Sequence, residues 1–152
     1  MKYSLQFSGA IHVLAYIEMF QDTRLLSSEM IASSIEANAA NVRKIMSQLK
    51  KSGLILTKTG KPQPSLAKRP DQISLLDVYR SIEGNTQLIQ VDPKTNPNCV
   101  VGANIQEALE ESYARLQKKA EEEMAKITLD SLIKQAIDWI QSMACFFLPS
   151  CF

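Results

Sequence analysis

The sequence predicts a mainly α-helical fold with a minor β component (α+β), and three observations predict it. Residues 27–52 carry two short amphipathic helical patterns that are separated by a polar turn. Residues 54–67 follow as two short strands around a polar tip. Residues 104–127 form one long helical pattern with an apolar seam. This order is typical of a winged helix-turn-helix domain that is followed by a long C-terminal dimerisation helix.

The first helix is predicted at residues 4–20, where apolar side chains recur at spacings of three and four residues. These side chains are Leu5, Val13, Leu14, Ile17 and Phe20. Ser27 or Ser28 is expected to cap a second helix, because a serine hydroxyl can accept a hydrogen bond from a free backbone N–H. That helix is expected to stop near Ala37 and Asn38.

The third helix is predicted at residues 39–52, with Asn38 as its N-cap and Gly53 as its C-terminal stop. Its inward side chains again lie three and four residues apart, and they are Val42, Ile45, Met46 and Leu49. A strand is predicted at 54–59, the tip of the wing at 60–64 and a return strand at 65–67.

A fourth helix is expected to begin after Ser74 and to end at Gly84, and residues 85–103 form a long connection. The next helix, from Asn104, has about 24 residues and a length of roughly 36 Å, too long for one small domain to cover. We therefore expect it to pair with the same helix of a second subunit, or to drape across that subunit. The seam residues are Ile105, Leu109, Ser112, Leu116 and Ala120.

The chain ends with a further helix from Thr128 and an apolar stretch at 143–152. We expect this stretch to be buried in the dimer, while binding to another partner or a peripheral membrane contact stays open. A chain of 152 residues can bury one compact core with an appendage. The predicted division is a DNA-binding domain at 1–84, a connecting loop at 85–103 and a dimerisation part at 104–152.

Charge is strongly segregated along the chain. Residues 37–70 contain eight Lys and Arg residues and no Asp or Glu, whereas the whole chain has a net charge of +1. A single lysine pair often does no more than solvate a helix, but an ordinary surface interleaves both signs. An acid-free basic block usually meets a polyanion, so we predict double-stranded DNA as the partner. The rival hypothesis is an interaction or sensor protein that keeps the scaffold without DNA readout.

In a helix-turn-helix, the N-terminal end of the second helix contacts base edges in the major groove. The predicted residues on this helix are Asn38, Ala39, Ala40, Asn41, Arg43, Lys44, Lys50 and Lys51. Arg43 suits guanine and Asn41 suits adenine. Ser28 is expected to bind phosphate. The wing residues expected to reach the adjacent backbone or the minor groove are Lys58, Thr59 and Lys61.

Several classes of protein are not supported by the sequence. No run reaches the roughly 18 apolar residues of a spanning helix, and the N-terminus lacks a signal cleavage site, so we predict a cytoplasmic location. The three cysteines, Cys99, Cys145 and Cys151, have no paired spacing, which fits a reducing compartment. No nucleophile, base and oxyanion set is discernible, so we expect no enzyme. No metal or cofactor site is predicted either, and His12 stands alone on the first helix.

The segments MKYSLQFSGAIHVLAYI, NAANVRKIMSQLKKSGLI, LAKRPDQISLLDVYRSIEG, PNCVVG and ITLDSLI occur in this order over residues 1 to about 133. Together they resemble the Rrf-two (Rrf2) family of winged-helix transcriptional regulators. The resemblance implies a homodimer whose long helices cross between subunits. It also implies binding to pseudo-palindromic DNA and, in most members, repression.

The chain departs from that family at three places. Members that hold an iron-sulfur cluster carry three closely spaced cysteines before the long helix, whereas this chain has Cys99 alone there, so the family-type cluster is not expected. Cys99 resembles the single cysteine that some clusterless relatives use for thiol-based sensing, with a plain loop residue as the alternative. GKPQPS replaces the glycine-rich wing of the family, and Glu36 replaces the usual glycine between the two helices.

Overall fold

The computed structural model describes residues 5–21, 23–57 and 63–144. This part of the chain is mainly helical with one small antiparallel sheet, so the predicted fold class is confirmed. The elements, in chain order, are α1 (Leu5–Met19), α2 (Ser28–Ile35), α3 (Ala39–Lys51), β1 (Ile55–Thr57), β2 (Pro64–Leu66), a 3-10 helix (Pro70–Gln72), α4 (Leu75–Glu83), α5 (Val100–Met124) and α6 (Leu129–Ala144).

The core of the protein is built around α1, which contacts α2, α3, α4, α6 and β2. Val13, Leu14 and Ile17 are completely buried, as their helical spacing predicts. Gly9 lies where α1 crosses α3, and a Cβ at this position would be 3.2 Å from Cδ1 of Ile45. The glycine therefore allows the two helices to approach closely.

The helix-turn-helix, α2 and α3 with the turn between them, is defined by three cap residues. Of the two candidate serines, Ser27 is the N-cap of α2, and its Oγ accepts a hydrogen bond from the N–H of Met30 at 3.2 Å. Glu36 ends α2 in the left-handed region with φ of 55°. Asn38 then caps α3 by accepting a hydrogen bond at Oδ1 from the N–H of Ala40 at 2.8 Å. A carboxylate side chain thus occupies a backbone position that glycine normally fills, since glycine has no Cβ to strain.

The wing is a two-stranded antiparallel sheet in which Ile55 pairs with Leu66 and Thr57 pairs with Pro64. Gly53 precedes it with φ of +74°, which confirms the predicted stop after α3. The return strand begins at Pro64, one residue earlier than predicted. Residues 58–62, which include most of the predicted wing tip, lie outside the described residues.

The fourth helix begins and ends where the sequence predicts. Ser74 and Asp77 form a capping box: Ser74 Oγ accepts from the N–H of Asp77 at 3.1 Å, and Asp77 Oδ2 accepts from the N–H of Ser74 at 2.9 Å. Gly84 follows the last turn with φ of +61°. Val78 and Tyr79 are buried, so α4 closes the core on the side of α1 and α3.

The long helix α5 begins at Val100 and not at Asn104, so the prediction of a loop up to residue 103 was wrong for its last four residues. The physical reason is a local turn before the helix, in which the N–H of Cys99 donates to the carbonyl of Asn96 at 3.2 Å. The chain folds back so that a Cβ at position 102 would lie 2.3 Å from the carbonyl oxygen of Asn96, and Gly102 has none. Asn104 is inside the helix and donates from Nδ2 to the carbonyl of Val100 at 2.7 Å.

The last helix, α6, returns to the N-terminal body of the molecule. The N–H of Leu75 donates to the carbonyl of Ile127 at 2.9 Å, and the N–H of Leu129 donates to the carbonyl of Ile73 at 2.8 Å. Leu129 and Ile133 are buried in the same core as α1. The predicted division at residues 84 and 103 stays a prediction, but these contacts connect the end of α5 directly to the start of α4.

Candidate nucleic-acid interface

The outer face of α3 is a continuous exposed stripe. At 3.6 residues per turn, side chains at spacings of four, seven and eleven residues lie on one side of a helix. The exposed residues in this register are Ala40, Lys44, Ser47 and Lys51. They lie opposite Val42, Ile45 and Leu49, which are buried in the core. The residues that hold α3 in place and the residues that it presents are therefore separate sets.

The N-terminal end of α3 is less open than the sequence predicts. The side-chain carbonyl of Asn38 is used to cap the helix, so its Nδ2 amide is the group left for a ligand. Ala39 packs against the core, and its side chain does not face outward. Ala40 and Asn41 are exposed and remain available to a groove.

Arg43 is exposed, but it forms an ion pair that was not predicted. Its Nη2 lies 3.5 Å from Oε1 of Glu29 in the first turn of α2, with 56% of the Arg43 side chain and 69% of the Glu29 side chain exposed. Arg69 is likewise paired, with Asp71 at 2.6 Å. The basic block has no acid in its sequence, yet the fold brings Glu29 to it from outside the block.

Two other predicted contact groups have different placements. Ser28 is half-buried in the first turn of α2, where backbone N–H groups without helical partners can bind an anion. Lys50 and Lys51 are exposed in the last turn of α3, where a cation also stabilises the helix dipole. The predicted wing contacts Lys58, Thr59 and Lys61 lie outside the described residues.

His12 is not isolated, in contrast to the interpretation from the sequence. Its Nε2 lies 2.9 Å from Oγ of Ser34, so the hydrogen bond connects α1 with α2. Partial burial lowers the pKa of His12, because desolvation penalises the charged imidazolium. At neutral pH the ring is therefore neutral and acts as a structural partner of the helix-turn-helix.

The predicted dimerisation residues lie on α5, in which no described side chain is buried. Ile105 and Leu116 are exposed, the latter with 54% of its area accessible, whereas the half-buried members are Leu109, Ser112 and Ala120. Polar contacts attach α5 to its surroundings. Arg80 Nη2 lies 3.3 Å from Glu121 Oε2, and Gln117 Oε1 accepts from the N–H of Leu88 at 2.9 Å.

Cys99 is exposed and occupies the N-cap position of α5. The backbone N–H groups of Gly102 and then Val101 lower the pKa of the thiol, because they stabilise the thiolate at the positive end of the helix. Within the described residues, no group of three or more His, Cys, Asp and Glu side chains could hold a metal ion. No helix in the described ranges is long and apolar enough to cross a membrane.

Known proteins that resemble this chain regulate transcription or bind DNA. The Rrf2 family model, described as an iron-dependent transcriptional regulator, matches residues 3–135. YwnA of Bacillus subtilis (strain 168), described as an HTH-type transcriptional regulator, is 40% identical over 124 residues, which are 82% of this chain and 91% of YwnA.

Solved structures agree with this result. The crystal structure of a protein described as DNA-binding is 38% identical, has a TM-score of 0.68, and matches over 84% of this chain and 98% of its own. CymR of B. subtilis, described as the global cysteine regulator, has a TM-score of 0.65 at 20% identity over 88% of this chain and 97% of CymR. This second similarity concerns the fold.

Proposed function

This chain belongs to the Rrf2 family of DNA-binding transcriptional regulators, a family with a non-enzymatic role, and from that premise we propose a specific mode of action. We propose that it is a homodimeric repressor that reads a pseudo-palindromic operator with one α3 helix per subunit. The observation that carries the proposal is the exposed stripe of α3 with Lys44 and Lys51, opposite the buried side chains that fix this helix.

The exposed residues of α3 make two kinds of contact with DNA in this proposal. Lys44 and Lys51 supply charge to phosphates, a contact that gives affinity without sequence preference. Arg43 and Asn41 flank the stripe and can reach base edges, where a guanidinium pairs with guanine and an amide with adenine. Ser28 and the first turn of α2 supply donors to a neighbouring phosphate.

A second subunit is needed for this geometry. Two recognition helices in one dimer contact half-sites one helical turn apart, about 34 to 36 Å, or multiples of that distance. In the described chain α5 exposes Ile105 and Leu116, and an apolar seam of this kind is stabilised when the same helix of a second copy covers it.

Binding titrations test the proposal. A selected operator and a random duplex of the same length are titrated at several salt concentrations, with Arg43→Ala and Lys51→Ala as paired variants. Arg43→Ala should cost about 1 to 3 kcal/mol on the operator and relax its sequence preference, whereas Lys51→Ala should weaken all duplexes alike and reduce the salt slope by about one. A wild-type protein with neither salt slope nor specificity would instead favour the interaction or sensor protein.

We also propose that Cys99 makes DNA binding thiol-responsive, since an exposed thiol with a lowered pKa is oxidised more readily than an ordinary one. The test compares operator binding before and after peroxide treatment in wild type, in Cys99→Ser, and in Cys145→Ser/Cys151→Ser. The effect should disappear with Cys99→Ser alone. Loss of the effect in the other variant would assign the response to the C-terminal cysteines.

Iron has no part in this proposal, although the family description names it. The described residues do not fit an iron site. Iron-sulfur clusters need several thiolates, and Cys99 is the one free cysteine among the residues that the structure describes.

A further inference from the structure

The apolar surface of α6 is wider than one packing contact requires. At 100° per residue its apolar side chains extend over an arc of about 160°, whereas a surface helix that packs on a single core needs about 100°. Leu129 and Ile133 occupy one half of the arc and are buried against α1 and the 3-10 helix, with Ile137 beside them. Trp139 and Met143 lie in the other half of the arc, and Ile140 has the direction of Leu129 and Ile133 but lies beyond them along the helix.

The apolar side chains at the C-terminal end of α6 are uncovered in the described chain. Trp139, Ile140 and Met143 are 63%, 59% and 67% exposed. Together they form one apolar surface at the C-terminal end of α6, which we call the Trp139 face. Asp138 and Gln141 lie on the polar side of the same helix and are also exposed, so the apolar side chains are segregated to one side of this end.

The Trp139 face lies beyond residue 135, where the match of the family model ends. The chain continues past α6 with eight residues, CFFLPSCF, that contain no charged side chain. A charge-free segment that contains Phe146, Phe147 and Leu148 thus follows directly after an uncovered apolar surface.

We propose that this segment, residues 145–152 of the same subunit, packs on the Trp139 face. Eight residues span at most about 26 to 29 Å, and Trp139 lies five residues, or about 7.5 Å, back from the end of α6, so the segment can reverse and still cover the face. A tethered segment also acts at an effective concentration in the millimolar range, which a second copy reaches only at very high protein concentration.

The single tryptophan of the chain makes the proposal directly measurable, because all indole fluorescence comes from Trp139. In the full-length wild type, Trp139 should emit to the blue of indole in water and should resist quenching by acrylamide. Phe146→Ser/Phe147→Ser should shift the emission to the red and raise the quenching constant severalfold, towards that of a free tryptophan amide. Ser150→Ala, which alters the segment without removing an apolar group, should behave as wild type.

Other molecules that could cover the Trp139 face would give different results in the fluorescence measurements. If shielding is lost when the wild type is diluted until it dissociates, a second copy covers the face, and the proposal is wrong. It is equally wrong if shielding appears only with phosphatidylcholine and phosphatidylglycerol vesicles, or if the wild type is quenched as readily as free indole. The wild-type measurements require no variant, and circular dichroism confirms that the serine variant retains its helices.

Discussion

The winged helix-turn-helix part of the chain, α1 to α4 with β1 and β2, is called the body below. The body and the long helix α5 are both helical, yet they depend on different sources of stability. In the body, the side chains of Leu14, Ile17, Leu49 and Ile55 are almost completely buried against one another. In α5, which has 25 residues, no described side chain is buried. Ion pairs of Lys119 with Glu122, and of Glu123 with Lys126 just past the end of the helix, lie on the surface, where water screens them, so they contribute little.

This difference shows that helical periodicity alone does not reveal what a helix packs on. The body is stabilised by contacts within one chain, and its stability should therefore not depend on protein concentration. The apolar seam of α5 leaves Ile105 and Leu116 exposed, so its full stabilisation should depend on a second subunit.

The largest expected effect is in the core. Leu14→Ala removes a completely buried side chain from the centre of α1 and should lower the free energy of unfolding by about 2 to 5 kcal/mol. Urea unfolding, followed at two protein concentrations a hundredfold apart, measures it. If the loss varied with concentration, the body would not be independent of α5, and the comparison would fail.

The next effect concerns α5. Leu116→Ala should weaken dimerisation by about 1.5 to 3 kcal/mol per covered side chain. Because a homodimer contains two such side chains, the dissociation constant should rise by roughly 100-fold or more. Analytical ultracentrifugation measures the constant, and Lys118→Ala, an exposed change on the opposite side of the helix, is the matched control. Equal dissociation constants for Leu116→Ala and wild type would remove Leu116 from the interface.

A smaller effect is expected on the DNA-facing side of the body. Glu29→Gln removes the carboxylate that pairs with Arg43, and should increase binding to random DNA by up to about fivefold, because an exposed ion pair contributes about 0.2 to 1 kcal/mol. If Glu29 also orients Arg43 towards a base, preference for the operator should fall at the same time. Fluorescence anisotropy with both duplexes measures the two quantities.

Two controls separate the ion pair from charge in general. Glu36→Gln removes the same charge from the turn of the helix-turn-helix, where no ion pair with Arg43 is formed, and should leave operator preference unchanged. In an Arg43→Ala background, Glu29→Gln should no longer alter the preference. A persistent change there would show that Glu29 acts without Arg43.

The smallest expected effect is the pH dependence of the body. Because burial lowers the pKa of His12 in the folded state, the unfolded state binds more protons near the ordinary histidine pKa of 6.5. Stability from this group is therefore complete above pH 6.5, and it is lost progressively as the pH falls from that value through the lower pKa of the folded state. Thermal unfolding between pH 5 and 8 should show this slope, and His12→Asn should flatten it without a change in dimerisation.

Local rules were sufficient to predict most of the secondary structure. Asn38 and the Ser74–Asp77 capping box mark helix starts through short-range hydrogen bonds, and Gly53 and Gly84 mark helix ends through positive φ angles. Spacing alone predicted the buried side chains of α3 and those of Val13, Leu14 and Ile17 in α1, whereas Leu5 at the start of α1 is 85% exposed and its prediction was wrong. These features depend on residues within a few positions of each other, and such information is present in the sequence.

Features that depend on distant residues could not be predicted in this way. One local feature was also missed, because the start of α5 at Val100 rests on the approach of Asn96 to Gly102, which the composition of that segment conceals. The contact of Glu29 with Arg43 depends on the crossing of α2 and α3, and the inward orientation of Ala39 limits a predicted readout position. The packing of Leu129 in the body likewise depends on the return of the chain after α5. DNA contacts and dimerisation residues stay predictions.

Backbone hydrogen bonds between Ile127 and Leu75 and between Leu129 and Ile73 attach the chain just after α5 to the body. A helix of about 25 residues is roughly 37 Å long, so a tilt of about 5° at its C-terminal end displaces its N-terminal end by about 3 Å. Cys99 lies at the N-terminal end, and the body with α3 lies at the C-terminal end. In a dimer joined through α5, a small angular change would therefore alter the separation of the two α3 helices, and hence the operator spacing to which the protein can bind.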